Sequence, residues 1–478
     1  MSLRRSLYTA VEAAGVVGRQ LFGDATNPVP ADWTHVTKVD PEPDKRLPLL
    51  FPAYLAATDA VSVGGSRGVT AADTAATFAA LDPADTPAIL EPSAAEHITP
   101  ETRSAARLLA LPEVLNGSDE SLVGTLGEGV AGLHDEIVPG VLRDAVPSWA
   151  RRLAPARLRR WAASTVGDPL ADVLVSWLVT RAVSEAYVVQ NPDSAAAREA
   201  NVAPEDVLSP AAARERALAA EHRLGSEIVY LEYSGTFGDE AATETLAALQ
   251  EATQWARVWY GGGVRSAAAA DAVLSAGADA VVVGDAFHDV ADEEAELVAR
   301  YLADRGVTTP ANLSAADAEP ATIAAWLDDA VDLAETAAAG YLSTQPTVDD
   351  HVGLARRYLT ATVATWLWLA SDRAAADADD RTDGVQPPWT TGAYDGVFAA
   401  GGEAFAETLR TAVATAADHE ASSGDETTDE SAEPASIARV AADPTERATA
   451  LAASLGVTAA RSPFPAERSD DEAVPPRQ

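Results

Sequence analysis

Residues 228–237, I-V-Y-L-E-Y-S-G-T-F, decide how the chain is read. The apolar, β-branched run that begins at Ile228 stops abruptly at Glu232, Ser234 and Gly235. A strand buried on both faces delivers its last residues to a ligand in this way. Two further runs follow the same grammar, A-R-V-W-Y-G-G-G-V-R-S at 256–266 and A-G-A-D-A-V-V-V-G-D-A-F-H at 276–288. The stretches between them, Glu240 to Trp255 and Ser266 to Ala276, are Ala-rich and helical in pattern. Strands alternating with helices build a parallel sheet. Gly261, Gly262 and Gly263 after one strand and Gly284 after the next let main-chain N–H groups approach an anion closely. Glycine loops after the seventh and eighth strands are the usual phosphate site of a (β/α)8 barrel.

Working outward, short apolar runs that end in polar residues or glycine occur at 34–40, 59–66, 87–93, 108–116 and 185–194. With the first three runs they make the eight strands that a closed barrel needs. The predicted fold is therefore α/β, a (β/α)8 TIM-type barrel with a helical insertion and a C-terminal α-helical extension. In a barrel all strand C-termini share one face. Lys38 and Asp40, Gly64 to Ser66, Glu91 and Ser93, Asn116, Asn191 and Ser194, and Glu232 to Gly235 therefore converge. For Asn116, Asn191 and Ser194, the need of strand-to-helix loops for turn and cap residues explains the residue type equally well.

The whole chain has 478 residues and a net charge of -39, with acid spread along its length. Such a surface repels nucleic acid and is ill suited to anionic lipid. It fits a halophilic, cytoplasmic protein kept soluble in concentrated salt, where screening shortens the reach of self-repulsion. Among 34 basic residues the lysines are Lys38 and Lys45 alone. A composition that avoids lysine but keeps it at Lys38 suggests a compact point charge that arginine's fork would not replace; chance survival is the plainer reading. Cysteine is absent, which excludes disulfides and thiolate chemistry, and seven scattered histidines give no zinc-site spacing. Near the N-terminus, Glu12 and Arg19 interrupt a loosely amphipathic pattern, so packing on the domain is expected, with weak attachment to a membrane surface as the alternative.

W-T-H-V-T-K-V-D-P at 33–41, V-G-G-S-R-G-V-T at 63–70, Y-L-E-Y-S-G-T-F-G-D at 230–239, Y-G-G-G-V-R-S at 260–266 and A-D-A-V-V-V-G at 278–284 occur in this order. Together they resemble the geranylgeranylglyceryl phosphate synthase family, which includes heptaprenylglyceryl phosphate synthases. The resemblance runs from about Trp33 to Arg305, and I-L-E-P-S, V-L-N-G and N-P-D-S match more softly. It implies a prenyl transfer in which the C3 hydroxyl of sn-glycerol 1-phosphate displaces diphosphate from a geranylgeranyl or longer polyprenyl diphosphate. Carried over by position, Lys38 contacts the glycerol phosphate, and Asp40 with Ser66 holds Mg2+. Tyr230, Glu232, Ser234 and Gly235 line the glycerol phosphate site, and Gly262, Gly263, Gly284 and Asp285 cradle the phosphate. Residue chemistry agrees: an alcohol is a poor nucleophile, and Glu232 is placed to take its proton as general base. A departing diphosphate is best neutralised by a hard cation with oxygen ligands, which Asp40 can anchor.

Two departures stand out. Asp285 puts a carboxylate where many relatives of that family have Asn, and Arg67 stands where a small polar residue is usual. The expected organisation is a helical arm over 1–32, a barrel over 33–306 with an insertion at about 118–184, a helical extension over 307–415, and an acidic, disordered tail over 416–478. The insertion carries five arginines between Trp149 and Trp161, read as a solvated helix face or, alternatively, a lid or membrane-facing edge. Beyond 307, helices are expected over Pro320 to Leu342 and Val348 to Ala376; Trp366 and Trp368 pack in the second or flank a prenyl groove. A non-catalytic barrel that binds a prenyl or sugar phosphate, and presents its helices to a partner, is the rival function.

Overall fold

The computed structural model describes residues 27–42, 45–65, 69–81, 84, 86–117, 182–307 and 313–377. Ser66 and Arg67, the arginine-rich insertion, most of the N-terminal arm and the acidic tail lie outside the described residues. The chain divides into two compact units. One comprises Met1–Glu42, Ala57–Ala286 and Ser343–Asp349; the other comprises Pro43–Ala56, Phe287–Leu342 and Asp350–Gln478.

The first unit is a closed barrel of eight parallel strands in sequence order. They are β1 (His35–Val39), β2 (Ala60–Val63), β3 (Ala88–Leu90), β4 (Leu108–Val114), β5 (Val183–Val189), β6 (Ile228–Glu232), β7 (Arg257–Gly261) and β8 (Ala280–Val283). All eight coincide with expected runs; β5 begins two residues inside the span assigned to the insertion. Pro112 is tolerated in β4 because the β3 pairing ends at Leu109, so its missing N–H falls past that ladder. Side chains alternate along each strand, so every second residue faces inward. Val36, Ala60, Ile89, Tyr187, Tyr230, Trp259, Ala280 and Val282 form one buried cluster that fills the barrel. Two positions further along their strands stand Lys38, Ser62, Glu91, Glu232, Gly261 and Gly284, at the C-terminal mouth.

Helices wrap this barrel. They include α1 (Ala71–Leu81), α2 (Pro100–Ala105), α3 (Ala195–Glu199), α4 (Pro210–Ala219), α5 (Asp239–Ala252) and α6 (Ala267–Ser275). On α5 the spacing of Ala242, Thr245, Leu246 and Leu249 puts four buried residues on one face. Each of the two fully buried leucines contributes on the order of 1.5–3 kcal/mol. Ser194, Ser209 and Ser266 cap α3, α4 and α6 by accepting backbone N–H bonds. Such a cap typically stabilises a helix by about 1 kcal/mol.

Helix α7 (Asp285–Asp304) begins in the first unit and supplies the second from Phe287 onward. The second unit also holds α8 (Pro320–Ala330), most of α9 (Ala337–Ser343) and α10 (His351–Asp377). The single helix expected over Pro320 to Leu342 is broken. Val331 turns extended, and the Asp332 side chain accepts from Ala334 N, so a local Asp cap competes with helix continuation. Tyr54 packs edge-on against Tyr358 at 5.0 Å between centroids, and Tyr301 against Trp326 at 5.1 Å. Trp366 and Trp368 are buried, 5% and 6% exposed, which favours packing over a groove edge. Among the described residues no helix is long and apolar enough to cross a membrane.

Candidate active site

The ends of β1, β6, β7 and β8 surround one cavity at the barrel mouth. Lys38, Asp40, Tyr230, Ser234, Gly235, Gly261, Gly262, Gly263, Arg265, Gly284 and Asp285 line it with a few apolar neighbours. Ten of the positions singled out in the sequence thus meet in space, from segments as far apart as Lys38 and Asp285. Glycine is required at two of them for stated reasons. A Cβ at Gly261 would lie 1.9 Å from the Tyr230 hydroxyl oxygen, so its absence is what lets Tyr230 reach the cavity. Gly263 has φ +56°, and a Cβ there would lie 2.7 Å from the Thr236 carbonyl carbon. Helix α7 starts at Asp285, immediately after Gly284, so the positive end of its dipole abuts the cavity. Backbone groups of a glycine loop beside a helix N-terminus form a ready anion site.

Glu232 stands at the same level of the barrel as Lys38 and Gly261 and is only 3% exposed. Its Oε1 accepts from Ser234 N at 2.9 Å and from the Ser234 hydroxyl. Burial raises Glu232 above the ordinary carboxylate range, opposed by Lys38 and by the two Ser234 bonds. Ser234, which lines the cavity, thus connects Glu232 to it. Asn191 Nδ2 donates to Ser234 O at 2.5 Å and so holds that loop.

Lys38 meets Glu91, a strand end that the sequence placed on this face without giving it a role. Its Nζ donates to Glu91 Oε1 at 3.0 Å. Burial by itself would depress Lys38, but Glu91, Asp40 and Glu232 hold it above its ordinary value and it stays charged. Tyr187 also donates to Glu91 and stacks on Tyr230, with ring centroids 4.4 Å apart. Glu185, two residues before Tyr187 on the same inward face, is 1% exposed, and its Oε2 has no hydrogen-bond partner. Burial, reinforced by Glu91 and Glu232, pushes Glu185 far above the ordinary range. The signal for these residues is the i, i+2 spacing of Glu185 and Tyr187 in an otherwise apolar strand, which puts both inside the barrel.

Asn116 and Ser194 are structural. Asn116 Nδ2 donates to Val189 O at 2.6 Å and its Oδ1 accepts from Val189 N at 2.9 Å, while Ser194 caps α3. Among the described residues no group of three or more His, Asp or Glu gathers to hold a metal. Asp40 nevertheless gives the cavity one carboxylate. That suits Mg2+, which keeps several waters and binds through one or two carboxylates plus substrate phosphates.

A model of the PcrB family matches residues 30–138 and 161–301. The chain belongs to the PcrB family. It is 31% identical over 264 residues to the geranylgeranylglyceryl phosphate synthase of Natronomonas pharaonis, covering 54% of this chain and 90% of that one. With the enzyme of the same name from Methanosphaerula palustris it shares 28% over 261 residues, 54% of this chain and 92% of that one. With the heptaprenylglyceryl phosphate synthase of Bacillus subtilis it shares 29% over 276 residues, 56% of this chain and 96% of that one. The PcrB match ends at 301, inside α7, so the helices that follow lie outside it.

Proposed function

We propose that this PcrB-family protein is a prenyltransferase. It joins the C3 hydroxyl of sn-glycerol 1-phosphate to geranylgeranyl or a longer polyprenyl group, releasing diphosphate, as an early step of ether-lipid synthesis. The observation that carries this reading is the meeting of Lys38, Tyr230, Ser234, the glycine loops and the start of α7 in one cavity backed by Glu232. Named relatives over the barrel support it.

In this reading Lys38 and the glycine-loop backbone bind the phosphate of sn-glycerol 1-phosphate, and Tyr230, Ser234 and Gly235 hold its glycerol. The C3 hydroxyl loses its proton toward Glu232 as its oxygen attacks C1 of the prenyl chain. The C1–O bond to diphosphate breaks, and the diphosphate leaves with the electron pair. Because Ser234 lines the cavity and donates to Glu232, its hydroxyl passes the proton: it accepts from C3–OH while giving its own to Glu232. Asp40, together with Ser66 as the family resemblance implies, would hold Mg2+. The cation would neutralise charge on the departing diphosphate. Arg265 adds a second cationic side chain to a lining that also holds the Asp285 carboxylate.

Incubation with labelled geranylgeranyl diphosphate, sn-glycerol 1-phosphate and Mg2+ in high salt tests the proposal. A solvent-extractable ether is expected. Binding of both substrates without ether would instead support the non-catalytic barrel.

A further inference from the structure

Three donors from three strands converge on Glu91. Lys38 Nζ reaches Oε1 at 3.0 Å, the Ser62 hydroxyl reaches Oε2 at 2.8 Å, and the Tyr187 hydroxyl also donates to Oε1. The Lys38 ammonium is therefore drawn toward β3, and it makes no ion pair with Glu232. Both carboxylates nonetheless belong to the same interior, and each feels the same lysine. A cation facing a carboxylate without an intervening anion stabilises its charged form and weakens it as a base.

We propose that Glu91 is a positioning residue of the active site: it binds and offsets the Lys38 ammonium, so that Glu232 remains basic enough to accept the substrate's proton. This rests on the role of Glu232 given above. The ionisable groups around Glu232 are Lys38 from β1, Glu91 from β3, Glu185 and Tyr187 from β5, Tyr230 from β6 itself and Tyr260 from β7. Glu185 and the three tyrosines are all pushed upward, burial being the first cause, which favours their neutral forms. Of these groups, Lys38 and Glu91 are the charges that act on Glu232. Burial opposes ionisation of Glu91, but the Lys38 charge and the bonds from Tyr187, Lys38 and Ser62 hold it below the ordinary range. Glu91 thus carries a negative charge, and that charge faces Lys38 directly. Asp40 also acts on Lys38, from the cavity side.

The test reads Glu232 itself in the substrate-free protein. With 13C-labelled glutamate, the Glu232 carboxyl carbon is assigned by its loss in Glu232→Gln, and its titration midpoint is followed. In Glu91→Gln, which keeps size and hydrogen bonding, the midpoint should fall by about one pH unit or more as Lys38 acts on Glu232 unopposed. Glu91→Asp keeps the charge and should retain the high midpoint. Tyr187→Phe disturbs the same interior but leaves the Glu91 charge, so its midpoint should also hold. An unchanged or raised midpoint in Glu91→Gln overturns the proposal. So does an equal fall in Tyr187→Phe, which would trace the shift to loosened packing. The acid limb of kcat/KM should move with the midpoint. If the unaltered protein forms no ether, the prenyltransferase reading fails while the titration still decides the role of Glu91.

Discussion

At the scale of the residue, Glu232 and Lys38 divide the work of one cavity. Glu232→Gln keeps shape and hydrogen bonding but removes the base. General-base assistance typically contributes about 10²- to 10⁴-fold, so turnover should fall by that order while glycerol phosphate still binds. Steady-state kinetics with separate calorimetric binding checks this, and near-normal turnover would sink the mechanism. Replacing Lys38 by Met removes a charge that Glu91, Asp40 and Glu232 keep protonated. The apparent constant for glycerol phosphate should then rise far more than that for the prenyl substrate, and equal weakening of both would count against the contact. Lys38, Glu232 and the glycines were legible as residue types because a strand that stops at Lys, Glu or Gly exposes its end to a ligand. Glu91 stood in the sequence as one strand end among several. Its importance comes from Lys38, Ser62 and Tyr187, which the closing of the barrel brings to it from three other strands.

At the scale of the element, helix α7 carries Glu294 into the core of the second unit. Glu294 is 2% exposed, accepts from Leu49 N at 2.8 Å and meets Thr362 Oγ1 at 3.1 Å. Burial pushes its carboxyl up to about 8, partly opposed by those bonds. The folded protein therefore holds a proton there that the unfolded chain, with an ordinary value near 4.5, releases. The unfolded state binds fewer protons across that window, so stability falls as pH rises from about 4.5 to about 8. The slope approaches roughly 1.4 kcal/mol per pH unit for one group. Denaturant melts at a series of pH values should show this loss, and Glu294→Gln should flatten it; an unchanged slope would place Glu294's proton elsewhere. The break between α8 and α9 belongs to the same scale. Asp332 is one polar residue in an otherwise helical pattern, and its capping of Ala334 N is a local choice that apolar periodicity does not reveal.

At the scale of the whole molecule, a net charge of -39 sets the response to salt. The Debye length shortens from about 10 Å at 0.1 M to about 3 Å at 1 M, so self-repulsion among surface acids is largely screened at high salt. The melting temperature should rise as NaCl is raised through this range, and a flat or falling trend in scanning calorimetry would refute the halophilic reading. The eight strands and the polar residues at their ends were determined by the sequence itself, since burial on both faces demands β-branched runs and a ligand demands that they stop. The charge and the avoidance of lysine are likewise properties of composition. Only the tertiary structure decided that Ser234 bonds Glu232, that Tyr187 stacks on Tyr230, and that one buried glutamate is held below the ordinary range while another is pushed above it. Those outcomes depend on distances between strands that are far apart in the chain, and on how much water the closed barrel leaves around each carboxylate. No spacing along a single strand contains that information.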